Sequence, residues 1–314
     1  MSDAAPARVQ RRTLDNAAFR VVSARASLPT RLRNLWARRE LLTSLITSDI
    51  RIKYKNSALG LLWSMLTPAL FIAIYFVVFS LFLKNGIPNF VIYLFSAMVV
   101  WNMFQNSLNA ATGVIVVRAG LVKKVSFPRE ILALANVGAS VVYFVIQIAV
   151  LGIVLAIVGH SPAWTFIWLL PIAFLALYFF TAALAIVMSA VTVYLRDMEH
   201  FMVIILQLWF FMSPVVYSYE NSIVPQLHRH GVSWLHWVYL LNPITLIMIT
   251  FQRIFYVTTT VRATATTPVL NILPTWPMST FFYMNIGLLA LMVALFLLAE
   301  VIFGRLEGNF ESEL

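Results

Sequence analysis

Six long apolar stretches constrain this chain more than any other feature of its sequence. They cover Trp63–Leu83, Phe90–Val117, Ile131–Val158, Trp164–Val193, Phe201–Tyr217 and Thr280–Phe303. A helix needs about 20 apolar residues to cross the hydrocarbon core of a bilayer. With 61% hydrophobic and 11% charged residues, the chain has too little polar surface for a soluble domain. The sequence therefore predicts an all-α polytopic membrane protein with six transmembrane helices, of which the fifth is the shortest and has an uncertain boundary near Ser213-Pro214.

The interiors of these stretches lack the groups that most membrane-embedded chemistry requires. None carries Lys, Arg, Asp or Glu in its middle, and Glu300 lies near the end of the last. Ion-coupled transporters and intramembrane enzymes place ionisable groups at membrane depth, so both classes are disfavoured. The chain has no cysteine, and the histidines at 228, 230 and 236 have no carboxylate among them. We therefore expect no catalytic residue, no cofactor and no metal site in this chain.

The basic residues predict the orientation. Eighteen of the 22 Lys and Arg fall on one side of the predicted membrane, in residues 1–62, 118–130, 194–200 and 304–314. The positive-inside rule places that side, and both termini, in the cytoplasm. The net charge of +10 then reflects topology and attraction to anionic lipids, and we expect no nucleic-acid partner.

The chain divides into four predicted regions. Residues 1–29 form a basic disordered tail, or more remotely a transit peptide. Residues 30–62 contain an amphipathic helix at the cytoplasmic interface and a gate segment, since Leu32, Leu35 and Trp36 begin an apolar stripe while Arg31 and Arg33 occupy other faces. Residues 63–303 form the transmembrane domain, and 304–314 a cytoplasmic tail.

The segment between the fifth and sixth stretches is predicted to lie mostly outside. Its inner part, from Asn242-Pro243 to Tyr256, is apolar and too short to span twice, which favours a re-entrant helical pair before the last span. Residues 258–267 are rich in Thr and Ala and should form an exposed loop.

Four amides share one face of the second predicted span. Asn102, Gln105, Asn106 and Asn109 recur at helical spacing, with Trp101 and Phe104 beside them. The amides are either interhelical hydrogen-bonding groups or the lining of a hydrophilic path. Uncharged amides next to aromatic rings suit a sugar better than an ion, although aromatic belts at the interface account for many of the aromatic residues.

Four blocks of sequence together resemble one known family. They are DIRIKYKNSALGLLWSMLTPALFIAIYFVVFSLF (Asp49–Phe82), KKVSFPREIL (Lys123–Leu132), YLRDMEHFMVIILQLWFFMSPVVYSYE (Tyr194–Glu220) and LNPITLIMITFQRIF (Leu241–Phe255). They resemble the permease subunit of polysaccharide ABC exporters, the type-2 permeases that move O-antigen, capsule and teichoic-acid chains. The resemblance covers roughly residues 40 to 310.

The resemblance implies a role for the basic loop after the second span. In that family this loop carries a short coupling helix that docks into a cleft of the ATPase subunit. Here the docking element would comprise Ala119, Gly120, Leu121, Val122, Lys123, Lys124, Val125, Ser126, Phe127, Pro128 and Arg129. The proline disfavours helix at the residue before it, which fits a stop there. The alternative is that these charges only enforce topology. The turn with Arg196 and Asp197 would be a second contact.

The resemblance also implies the energy source and the pore. No glycine here precedes a lysine, so the chain lacks a P-loop and a separate ATPase must bind ATP and magnesium. The family pattern implies two permeases with two ATPases. The first and fifth spans would line the channel, which adds Tyr75, Trp209, Phe210 and Phe211 to Trp101, Phe104 and the amides as channel residues. Arg51, Lys53 and Lys55 would meet the pyrophosphate of a polyprenyl-linked glycan.

Three other functions remain open. A type-2 permease for drugs or small lipids would share the architecture. A polytopic glycosyltransferase would need paired acidic residues at the membrane surface, and no Asp-x-Asp pair is present. A structural scaffold would not bind an ATPase.

Arginine outnumbers lysine 17 to 5, which hints at a GC-rich bacterium. Among the cargoes of the family, this favours a lipid-linked galactan of an actinobacterial cell wall.

Overall fold

The computed structural model describes residues 28–55, 63–83, 86–125, 127–232, 234–261 and 270–314. Four predicted features lie wholly or partly outside these ranges. They are nearly all of the basic tail, residues 56–62 of the gate segment, Ser126 of the docking segment and most of the 258–267 loop. The helices are α1 (Leu28–Ala37), α2 (Arg39–Tyr54), α3 (Trp63–Tyr75), α4 (Phe90–Thr112), α5 (Val114–Val117), α6 (Ala119–Lys124), α7 (Glu130–Val158), α8 (Leu169–Tyr194), α9 (Met198–Phe211), α10 (Val224–Arg229), α11 (Leu235–Leu240), α12 (Pro243–Phe255), α13 (Met278–Leu306) and α14 (Phe310–Glu313).

Within the described ranges, five helices are long and apolar enough to cross a membrane. They are α4, α7, α8, α13 and the continuous helix formed by α3 and a π-helical stretch, Phe76–Phe82. The prediction of an all-α polytopic membrane protein is confirmed. In the described part of the chain, the strand content is one antiparallel ladder of two residues per strand, β1 (Thr260–Val261) with β2 (Leu270–Asn271).

The predicted fifth span corresponds to a shorter helix. The helix α9 has 14 residues and ends at Phe211, and the chain then turns through Met212–Tyr217. Pro214 lies in this turn, where its missing N–H and fixed φ interrupt a helix. The apolar run Phe201–Tyr217 is thus part helix and part turn, which its composition alone did not distinguish.

The helix α4 forms the centre of the bundle. Most of its residues are buried, and it packs against α7, α8, α9 and α12. Small residues at these contacts, such as Ala97, Ala111, Ala182 and Ala185, let the helix backbones approach closely. The helix α13 packs along α8 on the other side of the bundle.

The stretch from Asn242 to Tyr256, predicted to form a re-entrant helical pair, contains one helix, α12, and the short helix α11 precedes it. Pro243 begins α12, and the side chain of Asn242 accepts a hydrogen bond from the backbone N–H of Ile244 at 3.2 Å, which caps the helix. Eleven of the 13 residues of α12 are buried, and it packs against α4 and α8. The described residues of α11 are all at least partly exposed. Only α12 therefore returns into the bundle.

The predicted single interface helix is two helices, because the chain breaks at Arg38 between α1 and α2. The helix α2 lies on α7, where Ile46 contacts the backbone of Gly138, a position without a side chain to block it. The assignment of faces on α1 was partly wrong. Arg31 is 9% exposed and Trp36 is 73% exposed, so the arginine faces the protein and the tryptophan does not.

The predicted C-terminal tail is folded. The helix α13 continues to Leu306 and leads through a 3-10 turn, Glu307–Asn309, into α14. Phe310 is fully buried, and the hydroxyl of Tyr194 donates a hydrogen bond to the carbonyl oxygen of Leu306 at 2.5 Å. These contacts hold the tail against the end of α8.

Candidate functional site

A cavity of about 300 Å³ opens where α2, α3, α4, α7 and α9 meet. It lies near the first turns of α3 and the second half of α4. Its walls are formed by Lys53, Trp63, Thr67, Pro68, Phe71, Tyr75, Met98, Trp101, Asn102, Gln105, Asn106, Tyr143, Gln147, Gln207 and Phe210. Among the described residues that line it, Lys53 carries the only formal charge.

One wall of the cavity is made of amides. Asn102 donates to the side-chain oxygen of Gln147 on α7 at 3.0 Å, and the indole of Trp101 donates to Gln105 at 2.9 Å. Asn106 is exposed within the cavity wall, and Asn109 is exposed but lies outside it. Asn102 therefore joins two helices at the cavity wall, while Gln105 and Asn106 line the open space.

Two amides of this wall, Gln147 and Gln207, were missed by the sequence analysis. Each is an isolated polar residue within an apolar run of α7 or α9. A glutamine in such a run is costly unless it meets a hydrogen-bonding partner, and that was the signal that could have identified them.

Another part of the cavity lining is aromatic. The ring of Phe210 stacks against Tyr75 with centroids 5.7 Å apart and meets the edge of Trp101 at 5.4 Å. These three predicted channel residues thus form one aromatic group across α3, α4 and α9. Ring pairs of this kind favour offset or edge contacts at such distances.

The other predicted aromatic channel residues lie elsewhere. Phe104 is fully buried and stacks on Phe180 at 5.5 Å. The indole of Trp209 donates to the side-chain oxygen of Asn242 at 3.0 Å, and Phe211 is 52% exposed on the outside of α9. None of Phe104, Trp209 and Phe211 lines the described cavity.

The predicted basic trio on α2 divides between two faces. The ammonium group of Lys53 lies 4.7 Å from the ring centroid of Tyr143, a cation–π contact at the cavity edge. Arg51 and Lys55 lie on another face with Thr43, Thr47 and neighbouring hydroxyl residues. Lys53 is therefore the member of the trio that can reach a ligand in the cavity.

A short helix, α6, occupies the predicted coupling segment and ends before Phe127-Pro128. Val122 is buried, whereas Leu121, Lys123, Lys124 and Val125 are exposed. The helix is anchored through one apolar side chain and presents a mixed apolar and basic face to solvent.

The four basic residues around α6 differ in their contacts. Arg118 forms an ion pair with Asp49 of α2. Arg129 donates to the carbonyl oxygen of Glu307 at 3.2 Å and lies over the ring of Phe310 at 5.8 Å. No described residue forms an ion pair with Lys123 or Lys124, so these two charges remain available to a partner.

The second predicted contact lies close to this segment. Arg196 and Asp197 are exposed in the turn between α8 and α9. A Cβ atom added to Gly113, which directly precedes α5, would collide with the carboxylate of the nearby Glu199. The start of α9 therefore lies against the chain that leads into α5.

The helices α3 and α9 present apolar faces that no described residue covers. Leu70, Phe71 and Ile74 on α3, and Ile204 and Leu208 on α9, are exposed. Both helices also border the cavity.

Comparison with known proteins identifies the family. The sequence profile described as ABC-2 type transporter matches residues 40–256. The chain is 31% identical over 225 residues to an O-antigen export system permease protein RfbA of Myxococcus xanthus, covering 72% of this chain and 84% of the relative. It is 28% identical over 216 residues to a protein of the same name from Klebsiella pneumoniae, covering 69% and 80%. This chain belongs to the ABC-2 type transporter family.

Proposed function

We propose that this chain is the permease subunit of an ABC exporter for a polyprenyl-pyrophosphate-linked polysaccharide. The observation that carries the proposal is the cavity that combines an amide wall, an aromatic wall and a single lysine. The relatives from Klebsiella pneumoniae and Myxococcus xanthus, both named as O-antigen export permeases, support a glycan cargo.

The chemistry of the cavity matches a glycan attached to a pyrophosphate. Amides such as Gln105 and Asn106 donate to and accept from sugar hydroxyls, and aromatic rings such as Tyr75 and Phe210 cover the apolar C–H faces of sugar rings. Lys53 supplies a positive charge for the pyrophosphate, with Arg51 and Lys55 attracting it to the membrane surface. No carboxylate lines the cavity in its described part, so the cavity offers no repulsion to an anionic ligand.

A second copy of the chain completes the channel in this proposal. The uncovered faces of α3 and α9 border the cavity and are long and apolar, which suits packing against the same helices of a symmetry-related copy. Tyr75 and Phe210 would then line a passage between the two copies.

The energy would come from two copies of a separate cytoplasmic ATPase, which bind ATP and magnesium. The chain has no P-loop. The exposed face of α6, with Lys123 and Lys124, would dock into the ATPase, and Arg196 and Asp197 would form the second contact. Both termini would lie in the cytoplasm, with the permease in the bacterial cytoplasmic membrane.

Depletion of the permease in its own bacterium tests this function. We expect the polyprenyl-linked glycan to accumulate on the cytoplasmic side, where added glycosidases or lectins cannot reach it in intact cells, while the surface polymer declines. A permease for drugs or small lipids would leave the distribution of the glycan unchanged. That result would contradict the proposal.

A further inference from the structure

Arg31 on α1 lies at the centre of a buried charge cluster. Its guanidinium group is 2.9 Å from Glu130, 3.2 Å from Glu307 and 3.6 Å from Glu300. Glu130 and Glu300 are almost completely buried, and the guanidinium also lies over the ring of Phe303 at 5.6 Å. Burial alone would lower the pKa of Arg31, but the carboxylates outweigh that effect and raise it, so the arginine is charged.

The cluster joins three elements that are far apart in the sequence. Arg31 belongs to the amphipathic N-terminal region, Glu130 begins α7 directly after the proposed docking segment, and Glu300 and Glu307 flank the end of α13. Arg129 extends the link, since it also lies 3.9 Å from Glu307. One buried arginine therefore connects α1, the end of the docking segment and the end of the last span.

The geometry allows little freedom at this junction. A guanidinium group donates through a planar fork, so it can meet several carboxylates only in a defined orientation. A Cβ atom added to Gly304 would lie 2.6 Å from a terminal nitrogen of Arg31, which shows how closely α1 approaches the backbone of α13. If α1 moved away, the buried carboxylates of Glu130 and Glu300 would lose their ion pairs with Arg31, which is strongly unfavourable.

We propose that Arg31 is a positioning residue that makes α1 move together with the docking segment and the end of α13 when the ATPase closes. The inference rests on the proposed function and adds a role to it. Closure at α6 reaches Glu130 through the short Val125–Arg129 connection, and Arg31 passes that displacement to α1. Since α1 leads into α2, which carries Lys53, the ATPase would thereby act on the cavity edge as well as on the spans.

The test compares Arg31→Met with Arg33→Met, an exposed arginine on the same helix, in the complete complex with its ATPase. We expect both variants to retain the ATPase and to hydrolyse ATP within about twofold of wild type. Glycan transported per ATP should fall about tenfold for Arg31→Met and stay unchanged for Arg33→Met. Arg31→Lys should be intermediate, because a single ammonium group cannot replace the fork.

A labelling experiment follows α1 directly. The chain has no cysteine, so Leu35→Cys introduces a single thiol on the partly buried face of α1. We expect maleimide to label this thiol several-fold faster when Arg31→Met is added, and no faster when Arg33→Met is added. Equal labelling of the two would contradict the link between Arg31 and the position of α1.

A neutral cluster separates positioning from folding. The triple variant Arg31→Met/Glu130→Gln/Glu300→Gln removes the arginine and both buried carboxylates together. No unpaired charge then remains at Glu130 or Glu300, so we expect the complex to assemble. The proposal requires transport per ATP to remain about tenfold low in this variant. Transport at the wild-type level, or failure of this variant to assemble, would overturn it. If wild type itself shows no ATP-dependent transport, the proposed function fails instead.

Discussion

Replacing Lys123 and Lys124 together by glutamate is expected to remove the partner ATPase from the purified permease. These two residues carry the exposed charges of α6, and no described residue pairs with them. If the two lysines bind an acidic surface of the ATPase, glutamates in their place would face carboxylates of the same charge. Juxtaposed like charges cost several kcal/mol, so we expect at least about a hundredfold loss of affinity. Co-purification of the ATPase with tagged permease measures it.

The matched control is Arg33→Glu/Arg38→Glu. Arg33 belongs to α1, whereas Arg38 lies at the break between α1 and α2. The control reverses the same number of exposed positive charges on the same predicted side of the membrane. If the lysines serve only to orient the protein, the two double variants will behave alike and both will retain the ATPase. That outcome would contradict the assignment of α6 as the docking helix. Loss of the ATPase from the lysine variant alone would support it.

The double variant Gln105→Leu/Asn106→Leu is expected to abolish most transport while the ATPase remains bound. Both amides face the cavity, and leucine fills similar space without a donor or acceptor. Sugar hydroxyls that enter the cavity would lose their partners at about 1 kcal/mol or more each, which predicts a decrease in transport of about tenfold to a hundredfold. Transport of the labelled lipid-linked glycan into vesicles measures the effect.

Asn109→Leu provides the control for this prediction. Asn109 belongs to the same stripe of α4 but lies outside the cavity. We expect its replacement to leave transport within about twofold of wild type, because its side chain faces away from the ligand. Equal transport by the Gln105/Asn106 variant and the Asn109 variant would show that the cavity does not handle the glycan.

The spans and the short helix α6 followed from local features of the sequence. Long apolar runs without charges leave few alternatives to a transmembrane helix. Pro128 disfavours helix at Phe127, and α6 ends before both, at Lys124. The stripe of amides on α4 was visible because its residues repeat with helical spacing within a single element.

The features that depend on contacts between distant elements could not be predicted in the same way. Arg31 occupied what looked like the polar face of a surface helix, and its burial depends on Glu130 and Glu300, which lie 99 and 269 positions away. Gln147 lines the cavity and accepts a hydrogen bond from Asn102 of a different helix, a contact that spacing within one helix does not reveal. Phe104 lies beside the amides in the sequence, but Phe180 and Trp209 cover its ring.

The predicted fifth span was too long because the turn that follows α9 is also apolar. The run Phe201–Tyr217 has the composition of a span, but α9 ends at Phe211 and Val215 hydrogen-bonds to Ser213 within the following turn. A hydropathy pattern reports burial in an apolar environment and does not distinguish a helix from a turn that is buried by its neighbours. Here Val215 and Val216 are buried within the protein.

We have proposed that this chain, with an ATPase, moves a lipid-linked glycan across a membrane. The direct measurement is reconstitution of the purified permease with its partner ATPase in vesicles that contain a fluorescent polyprenyl-pyrophosphate oligosaccharide. Access of an added glycosidase to the sugar reports transfer between leaflets. We expect transfer that requires ATP and that stops with an ATPase variant that binds ATP but cannot hydrolyse it. Transfer at the same rate without ATP, or no transfer by an assembled and hydrolysing complex, would contradict it.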